Sequence, residues 1–144
     1  MVTIIREATL NDVRDIAALC SQLGYSVKEE AIYLRLKKLL THKEHAVFIH
    51  ESSDSAITGW VHILGKTLLE LEYAEIGGLI VYKQARRQGI GEQLMMRCQE
   101  WAKANDFLEI RLRSGIQREE AHSFYSRIGY QNINQQRLFR LKVE

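Results

Sequence analysis

The sequence predicts an α/β fold of the α+β type, with a mixed, mostly antiparallel sheet of about six to seven strands and about four helices. Two apolar runs, residues 46–51 and 57–64, are separated by a polar, serine-rich turn, which is typical of a β-hairpin. A strand, a helix and a second strand then follow at residues 68–83, 91–104 and 107–113. Because a strand–helix–strand unit joins parallel strands, we expect one parallel pair at the centre of the sheet.

The N-terminal part of the chain predicts a strand and two helices. Residues 2–6 are apolar enough for a short strand. The first helix should begin with a capping-type motif at Thr9 and end at Gly24, and the second should begin at Ser26. The connection between these helices is short, so we expect them to form a V-shaped pair.

The C-terminal part predicts a further helix and a strand pair. Residues 119–128 have helical apolar spacing, and Gly129 follows at a position where a left-handed residue often ends a helix. Residues 131–133 and 138–142 should then form an antiparallel pair that completes the sheet.

Composition predicts one globular domain, residues 1–144, with a core of its own. The net charge of +2 is too small to indicate nucleic-acid binding. No apolar run is long enough to span a membrane, and no signal peptide is evident at the start, so we expect no membrane association. Both cysteines lie on apolar helix faces, as buried thiols do, and fit a cytoplasmic protein.

The most informative stretch is an apolar strand that runs into a basic, glycine-containing loop and then directly into a helix. The first amides of a helix have no intrahelical acceptor and carry the positive end of the helix dipole, so they attract anions. Glycines at 89 and 91 remove side chains that would hold a phosphate away from these amides. We name residues 86–92 the glycine loop and expect all of them to bind a pyrophosphate: Arg86, Arg87, Gln88, Gly89, Ile90, Gly91 and Glu92.

Two common nucleotide motifs do not fit the glycine loop. A Walker loop needs a Gly-Lys-Ser/Thr end, which is absent here. A dinucleotide fingerprint needs three glycines and a later acidic residue, and only two of its glycines are present.

The pattern Arg86-x-x-Gly89-x-Gly91 resembles the acyl-CoA pyrophosphate loop of the Gcn5-related N-acetyltransferase (GNAT) superfamily. A second motif, Ala121-x-x-Phe124-Tyr125-x-x-x-Gly129-Tyr130, looks like the C-terminal signature of the same superfamily. The resemblance covers the chain from about residue 73 to residue 130, and it implies a GNAT fold in which the parallel strand pair splays apart. It also implies acetyl-CoA as the cosubstrate, with no metal, and direct transfer of the acetyl group to a primary amine in a ternary complex.

Residue roles follow from the resemblance position by position. Tyr125 matches the tyrosine that lies near the CoA sulfur and is thought to protonate the thiolate, whereas helical spacing alone favours a core tyrosine. The pantetheine arm would pair with the backbone of Leu79, Ile80 and Val81. Relatives often bond this arm with an asparagine after the next strand, and here Ser114 stands in that neighbourhood.

Glu75 matches the catalytic glutamate of the histone-acetylating branch, so it is the first candidate for the general base, with Glu72 as the second. Glu75 could instead orient the acceptor or pair with an arginine. Gly77 and Gly78 lie inside the strand and predict a β-bulge, which would aim a backbone N–H at the thioester oxygen.

The acceptor should be bound by aromatic and acidic side chains from several elements: Tyr25, Trp60, Tyr73 and Glu75. Small-molecule amines and protein amines both remain open as acceptors, and the resemblance also allows a homodimer. Two other functions are alternatives to acetyl transfer. A non-catalytic GNAT-like module would bind acyl-CoA without turnover, and nucleic-acid binding would show a steep salt dependence.

Overall fold

The computed structural model describes residues 4–143, and the chain divides into two compact units, Met1–Arg113 and Ser114–Glu144. We describe each unit separately, and the prediction of a single domain stays a prediction. Among residues 4–143, none of the helices is long and apolar enough to cross a membrane.

The first unit contains a mixed five-stranded sheet in the order β1-β2-β3-β4-β5. Neighbouring strands are antiparallel except for β4 and β5, which are parallel. The strands are β1 Ile4–Glu7, β2 His45–Glu51, β3 Ile57–Thr67, β4 Glu72–Val81 and β5 Ile110–Leu112. The fold is therefore the predicted mixed α/β fold with one parallel pair, and residues 4–143 form five strands where six to seven were predicted.

Three helices belong to the first unit, α1 Val13–Gln22, α2 Glu29–Leu40 and α3 Ile90–Ala104. A capping box at Thr9 and Asp12 starts a short 3-10 turn that leads into α1, as the sequence predicts. The predicted start of α2 at Ser26 is wrong, because the extended residue Lys28 precedes the helix and no side chain caps it. Residues 2 and 3 of the predicted first strand lie outside the described part.

The two faces of the sheet bury different helices. Helices α1 and α2 pack on one face around a cluster that includes Val47, Ile49 and Ile80. Helix α3 packs on the other face, where Leu94 and Ile90 lie so close to Gly59 that a β-carbon there would be 3.1 Å from the Leu94 side chain. On that face Arg97 also lies over the buried ring of Phe48, 4.3 Å from its centroid.

Two predicted strands are shorter in the structure. The strand predicted from residue 68 begins only at Glu72, because Leu68 N–H donates to the Leu71 carbonyl and closes a turn. The strand predicted for residues 107–113 is limited to Ile110–Leu112. Phe107, the first residue of the predicted strand, does not join β5, because its N–H donates to the Ala102 carbonyl in α3 and its ring stacks on Trp101.

The second unit contains helix α4, Glu119–Arg127. Gly129 follows in the left-handed region with φ 104°, which confirms the predicted helix end. The predicted strand pair of residues 131–133 and 138–142 is wrong for the described part of the chain, where these residues form neither helix nor strand. Their alternating pattern favours a strand, but a strand also needs a hydrogen-bonded neighbour, and side chains such as Phe139 are largely exposed.

Candidate functional site

A β-bulge interrupts β4 at the predicted place. The register pairs Ile63 with Ile76 and His62 with Gly78, so Gly77 is the extra residue. A β-carbon on Gly77 would lie 2.6 Å from His62 Nδ1, and one on Gly78 would lie 2.9 Å from the ring of Trp60. A β-carbon at either position would have to displace a ring of β3, which favours glycine at both.

Strands β4 and β5 separate immediately before this bulge. Their pairing consists of Ala74 with Ile110, Glu75 with Arg111 and Ile76 with Leu112. Strand β4 continues to Val81, and in the described part of the chain residues 78–81 pair only with β3. Leu79, Ile80 and Val81 therefore lie where one edge of the strand has no strand partner, which is the arrangement predicted for them.

The glycine loop turns the end of β4 into the start of α3. Arg87 and Gly89 have φ angles of 66° and 77°, and Gly89 is the last residue before the helix. The first helical bond runs from Gln93 N–H to the Gly89 carbonyl at 3.0 Å. Within residues 4–143, no protein acceptor is present for the amides of residues 87–92. Six consecutive N–H groups at a helix N-terminus are thus available to an anion.

Two contacts that the sequence analysis missed support the glycine loop. Lys83 N–H donates to Gln22 Oε1 at 2.9 Å, which ties the end of α1 to the chain just before the loop. Below the helix start, buried His50 shares a 2.7 Å hydrogen bond with Thr58, and its pKa is lowered by burial although Gln93 acts in the opposite direction. Neither contact has a local sequence signal. The Gln22–Lys83 contact joins residues far apart in the chain, and the His50–Thr58 contact depends on the pairing of two strands.

Glu75 is held between two cations. Its carboxylate lies 3.4 Å from Lys66 Nζ and 3.4 Å from Arg113 Nε, and its side chain is 13% exposed. It lies on β4 opposite Leu64, on the face that carries Trp60 and His62. The pairing that the sequence analysis considered as the alternative to a base is therefore present, and the catalytic role of Glu75 stays a prediction.

The aromatic residues predicted to bind the acceptor differ in their exposure to solvent. Tyr25 is exposed, and Trp60 is half-buried against the α1–α2 core. Tyr73 is only 3% exposed, and the Arg111 guanidinium lies 4.5 Å from its ring centroid. The sequence could not show this burial, because it depends on a residue from the parallel neighbour strand.

Two histidines form a pair beside the bulge. His62 Nε2 and His45 Nδ1 share a hydrogen bond of 2.9 Å, and their rings are stacked with centroids 5.2 Å apart. Burial lowers the pKa of His62 to about 4, and the neighbouring His45 acts in the same direction. The structure places His62 opposite Val47, on the α1–α2 face of the sheet.

In the second unit, Tyr125 lies among other aromatic rings. Its ring centroid is 5.4 Å from that of Phe124 and 6.2 Å from that of Tyr130. Burial raises the pKa of Tyr125, and the positive charge of Arg118 opposes this only in part. The phenol is therefore protonated at neutral pH and is available as a proton donor.

Two further residues of the second unit bear on the predictions. His122 Nε2 donates to the Gly115 carbonyl at 2.9 Å, so this histidine holds the segment before α4 in place. Ser114 Oγ is buried and has no hydrogen-bond partner among residues 4–143. An unpartnered buried hydroxyl is costly, which fits a group that bonds a ligand.

The sequence model of the Acetyltransferase (GNAT) family matches residues 10–130. A sequence search of curated proteins finds no significant match. The solved structure of a transcriptional regulator from Bacillus halodurans C-125 is similar at a TM-score of 0.86 and 23% identity, covering 97% of this chain and 100% of that one.

Two aminoglycoside-related structures are also similar. AAC(6')-Iy in complex with the bisubstrate analogue CoA-S-monomethyl-acetylneamine has a TM-score of 0.87 at 16% identity, over 99% of this chain and 100% of that chain. The aminoglycoside antibiotic 6'-N-acetyltransferase AAC(6')-Ih from Acinetobacter baumannii has a TM-score of 0.86 at 16% identity, over the same shares. At such identities the likeness establishes the fold, whereas the family match extends over most of the sequence. This chain belongs to the GNAT acetyltransferase family.

Proposed function

We propose that this protein transfers an acetyl group from acetyl-CoA to a primary amine, by direct transfer in a ternary complex. The observation that carries the proposal is the continuity of β4 with the glycine loop. A strand with one open edge beyond Ile76 leads directly to six amides that have no acceptor within the described chain. An extended arm next to a pyrophosphate is the shape of ligand that fits both features.

Each part of the site has a task in binding the donor. The amides of residues 87–92 and the guanidinium groups of Arg86 and Arg87 would hold the pyrophosphate. The backbone of Leu79, Ile80 and Val81 would pair with the pantetheine arm, and the Ser114 hydroxyl would supply a further bond. When bound, acetyl-CoA supplies an acyl group already activated as a thioester.

The remaining tasks are to polarise the carbonyl, to remove a proton from the amine and to protonate the thiolate. A backbone N–H at the Gly77 bulge would donate to the thioester oxygen as negative charge develops there. The protonated phenol of Tyr125 would donate to the sulfur, because its pKa is raised by burial. Glu75 would contact the acceptor amine from the same strand as the bulge, with its charge shared between Lys66 and Arg113.

Small-molecule amines are the acceptor class that we propose to test first. Two of the similar structures are aminoglycoside acetyltransferases. Aminoglycosides, polyamines and amino acids should therefore be screened before peptides with free amines.

The proposal is tested by two measurements on the purified protein. Isothermal titration with acetyl-CoA should show saturable binding, with ATP and NAD as controls that do not bind. Release of free CoA thiol should then appear with at least one amine of the panel. Binding without CoA release across the panel would favour a non-catalytic module, and absence of binding would refute the proposal.

A further inference from the structure

The pair of His62 and His45 has one end at the bulge. His62 Nδ1 is the atom nearest to the place that a β-carbon of Gly77 would occupy, at 2.6 Å, and Gly77 itself is exposed. His62 Nε2 is the nitrogen that bonds His45, which is half-buried on β2. A continuous path of imidazole nitrogens therefore runs from the bulge, through two strands, toward the surface.

We propose that these two histidines accept the proton of the attacking amine and pass it to solvent, an inference that rests on the proposed acetyl transfer. In this arrangement His62 carries its proton on Nε2 and donates to His45 Nδ1. His62 Nδ1 then keeps a free lone pair that faces the bulge, where the thioester carbonyl would lie.

The proton transfers balance. As the amine nitrogen bonds to the acyl carbon, one of its N–H bonds breaks and an N–H bond forms at His62 Nδ1. The Nε2 proton of His62 passes to His45 Nδ1, and the Nε2 proton of His45 leaves to water. One proton has moved from the amine to water, and both rings are neutral before and after. Exchange with water at the two outer nitrogens restores the starting tautomers after the product leaves.

The electrostatics of the pair fit this neutral relay. The pKa of His62 is lowered to about 4 by burial and by His45. The pKa of His45 is lowered by burial and by His42, against the effect of Glu44. Each ring therefore holds one proton and one lone pair at pH 7. Because each ring loses a proton from one nitrogen as it gains one on the other, no imidazolium has to form, and a low pKa is no obstacle.

Glu75, a titratable group on the same face, is less suited to the task. Glu75 of β4 lies near the bulge, but a proton on its carboxylate would neutralise its ion pairs with Lys66 and Arg113. Helices α1 and α2 cover the same face with apolar side chains such as Ile16 and Leu36. The histidine pair is neutral and loses no ion pair during the transfer.

The first test needs no substrate. Long-range nitrogen–proton NMR of the imidazole rings should find the His62 proton on Nε2, and His62 should remain neutral until the pH approaches 4. A proton on Nδ1 would overturn the proposal, whatever the amine screen shows.

The second test is kinetic and uses the best amine of the panel. His62→Gln keeps a hydrogen-bonding side chain but cannot pass a proton, so kcat should fall roughly 10²–10⁴-fold while the KM for acetyl-CoA is unchanged. His45→Gln should lower kcat in the same direction, and added imidazole should restore part of the activity of His62→Ala. Lys43→Gln is the control, because it places the same replacement side chain at an exposed residue of the same region that lies outside the pair.

The outcomes separate the two claims. If the wild-type protein binds acetyl-CoA but none of the amines in the panel leads to release of CoA, the proposed function fails. If the wild-type protein and His62→Gln both turn over at the same rate, the relay fails and the proposed function stands. A loss of rate that imidazole does not restore, together with weaker acetyl-CoA binding, would show a structural role and would also overturn the relay.

Discussion

Replacing Gly89 by alanine should separate the conformational role of this residue from its role in binding. Gly89 has φ 77°, a left-handed conformation that costs an L-residue roughly 1–2 kcal/mol. A β-carbon there would meet nothing closer than Gln93 Nε2 at 3.9 Å, so no clash inside the protein adds to this cost. We therefore expect Gly89→Ala to fold, with a melting temperature about 3–8 °C lower.

Gly24→Ala is the matched control for this change. Gly24 has φ 86°, and a β-carbon there would have no atom within 4 Å, so Gly24→Ala imposes a similar backbone strain at a residue outside the glycine loop. Both variants should lose similar stability in thermal or denaturant unfolding. A difference between them in ligand binding would then arise from the loop alone.

The binding assay is isothermal titration of both variants with acetyl-CoA. A methyl group on Gly89 stands among the free amides, and loss of one charge-assisted bond of roughly 1.5–3 kcal/mol would weaken the affinity about 10–150-fold. Gly24→Ala should bind as the wild type does. Equal acetyl-CoA affinity of the two variants would refute the assignment of the glycine loop as the phosphate site.

Three further predictions test other parts of the account. Tyr125→Phe should lower turnover about 10²–10⁴-fold with nearly unchanged acetyl-CoA affinity, and a wild-type rate at every pH would exclude the tyrosine as proton donor. Gly77→Ala should lower both stability and turnover, because its β-carbon must displace the His62 ring; unchanged urea unfolding would contradict the tight approach. Burial raises the pKa of Asp12, but hydrogen bonds from Arg6 and Thr9 outweigh burial, so the pKa is lowered on folding. The ionised Asp12 carboxylate therefore stabilises the folded protein above pH ~4, and this stabilisation is lost as the pH falls further. In acid unfolding series, Asp12→Asn should be less stable than wild type at pH 7 and should show a smaller decline below pH 4; parallel curves would contradict this.

The elements that carry the site could be predicted from sequence because their signals are local. The consecutive glycines Gly77 and Gly78 mark the bulge in β4, and a basic segment with Gly89 and Gly91 marks the start of α3. The predicted bulge, the loop and the position of Gly129 after α4 all agree with the structure. In each case the signal lies within a few residues of the feature that it specifies.

The features that sequence reasoning missed depend on contacts between distant residues. His45 and His62 meet because of the register of β2 on β3, which places Val47 opposite His62. Tyr73 is buried beneath Arg111, a residue of the next parallel strand. No local pattern in the sequence reports such pairings.

The incorrect strand predictions have the same origin. The alternation of residues 138–142 satisfies the local rule for a strand, but a strand also requires a neighbour that the pattern cannot name. Phe107 belongs to an alternating run as well, and its ring packs on Trp101 instead of continuing β5. Local periodicity thus indicates which segments can be extended, and tertiary contacts decide how far they extend.

The central claim is that the amides of the glycine loop bind the pyrophosphate of acetyl-CoA. The most direct measurement is a titration of the nitrogen-15-labelled protein with acetyl-CoA, followed by backbone amide NMR. We predict that the largest shifts fall on residues 87–92, whose amides have no acceptor within the described chain, and that NAD leaves them unchanged. Saturable binding of acetyl-CoA with these six signals unmoved would contradict it.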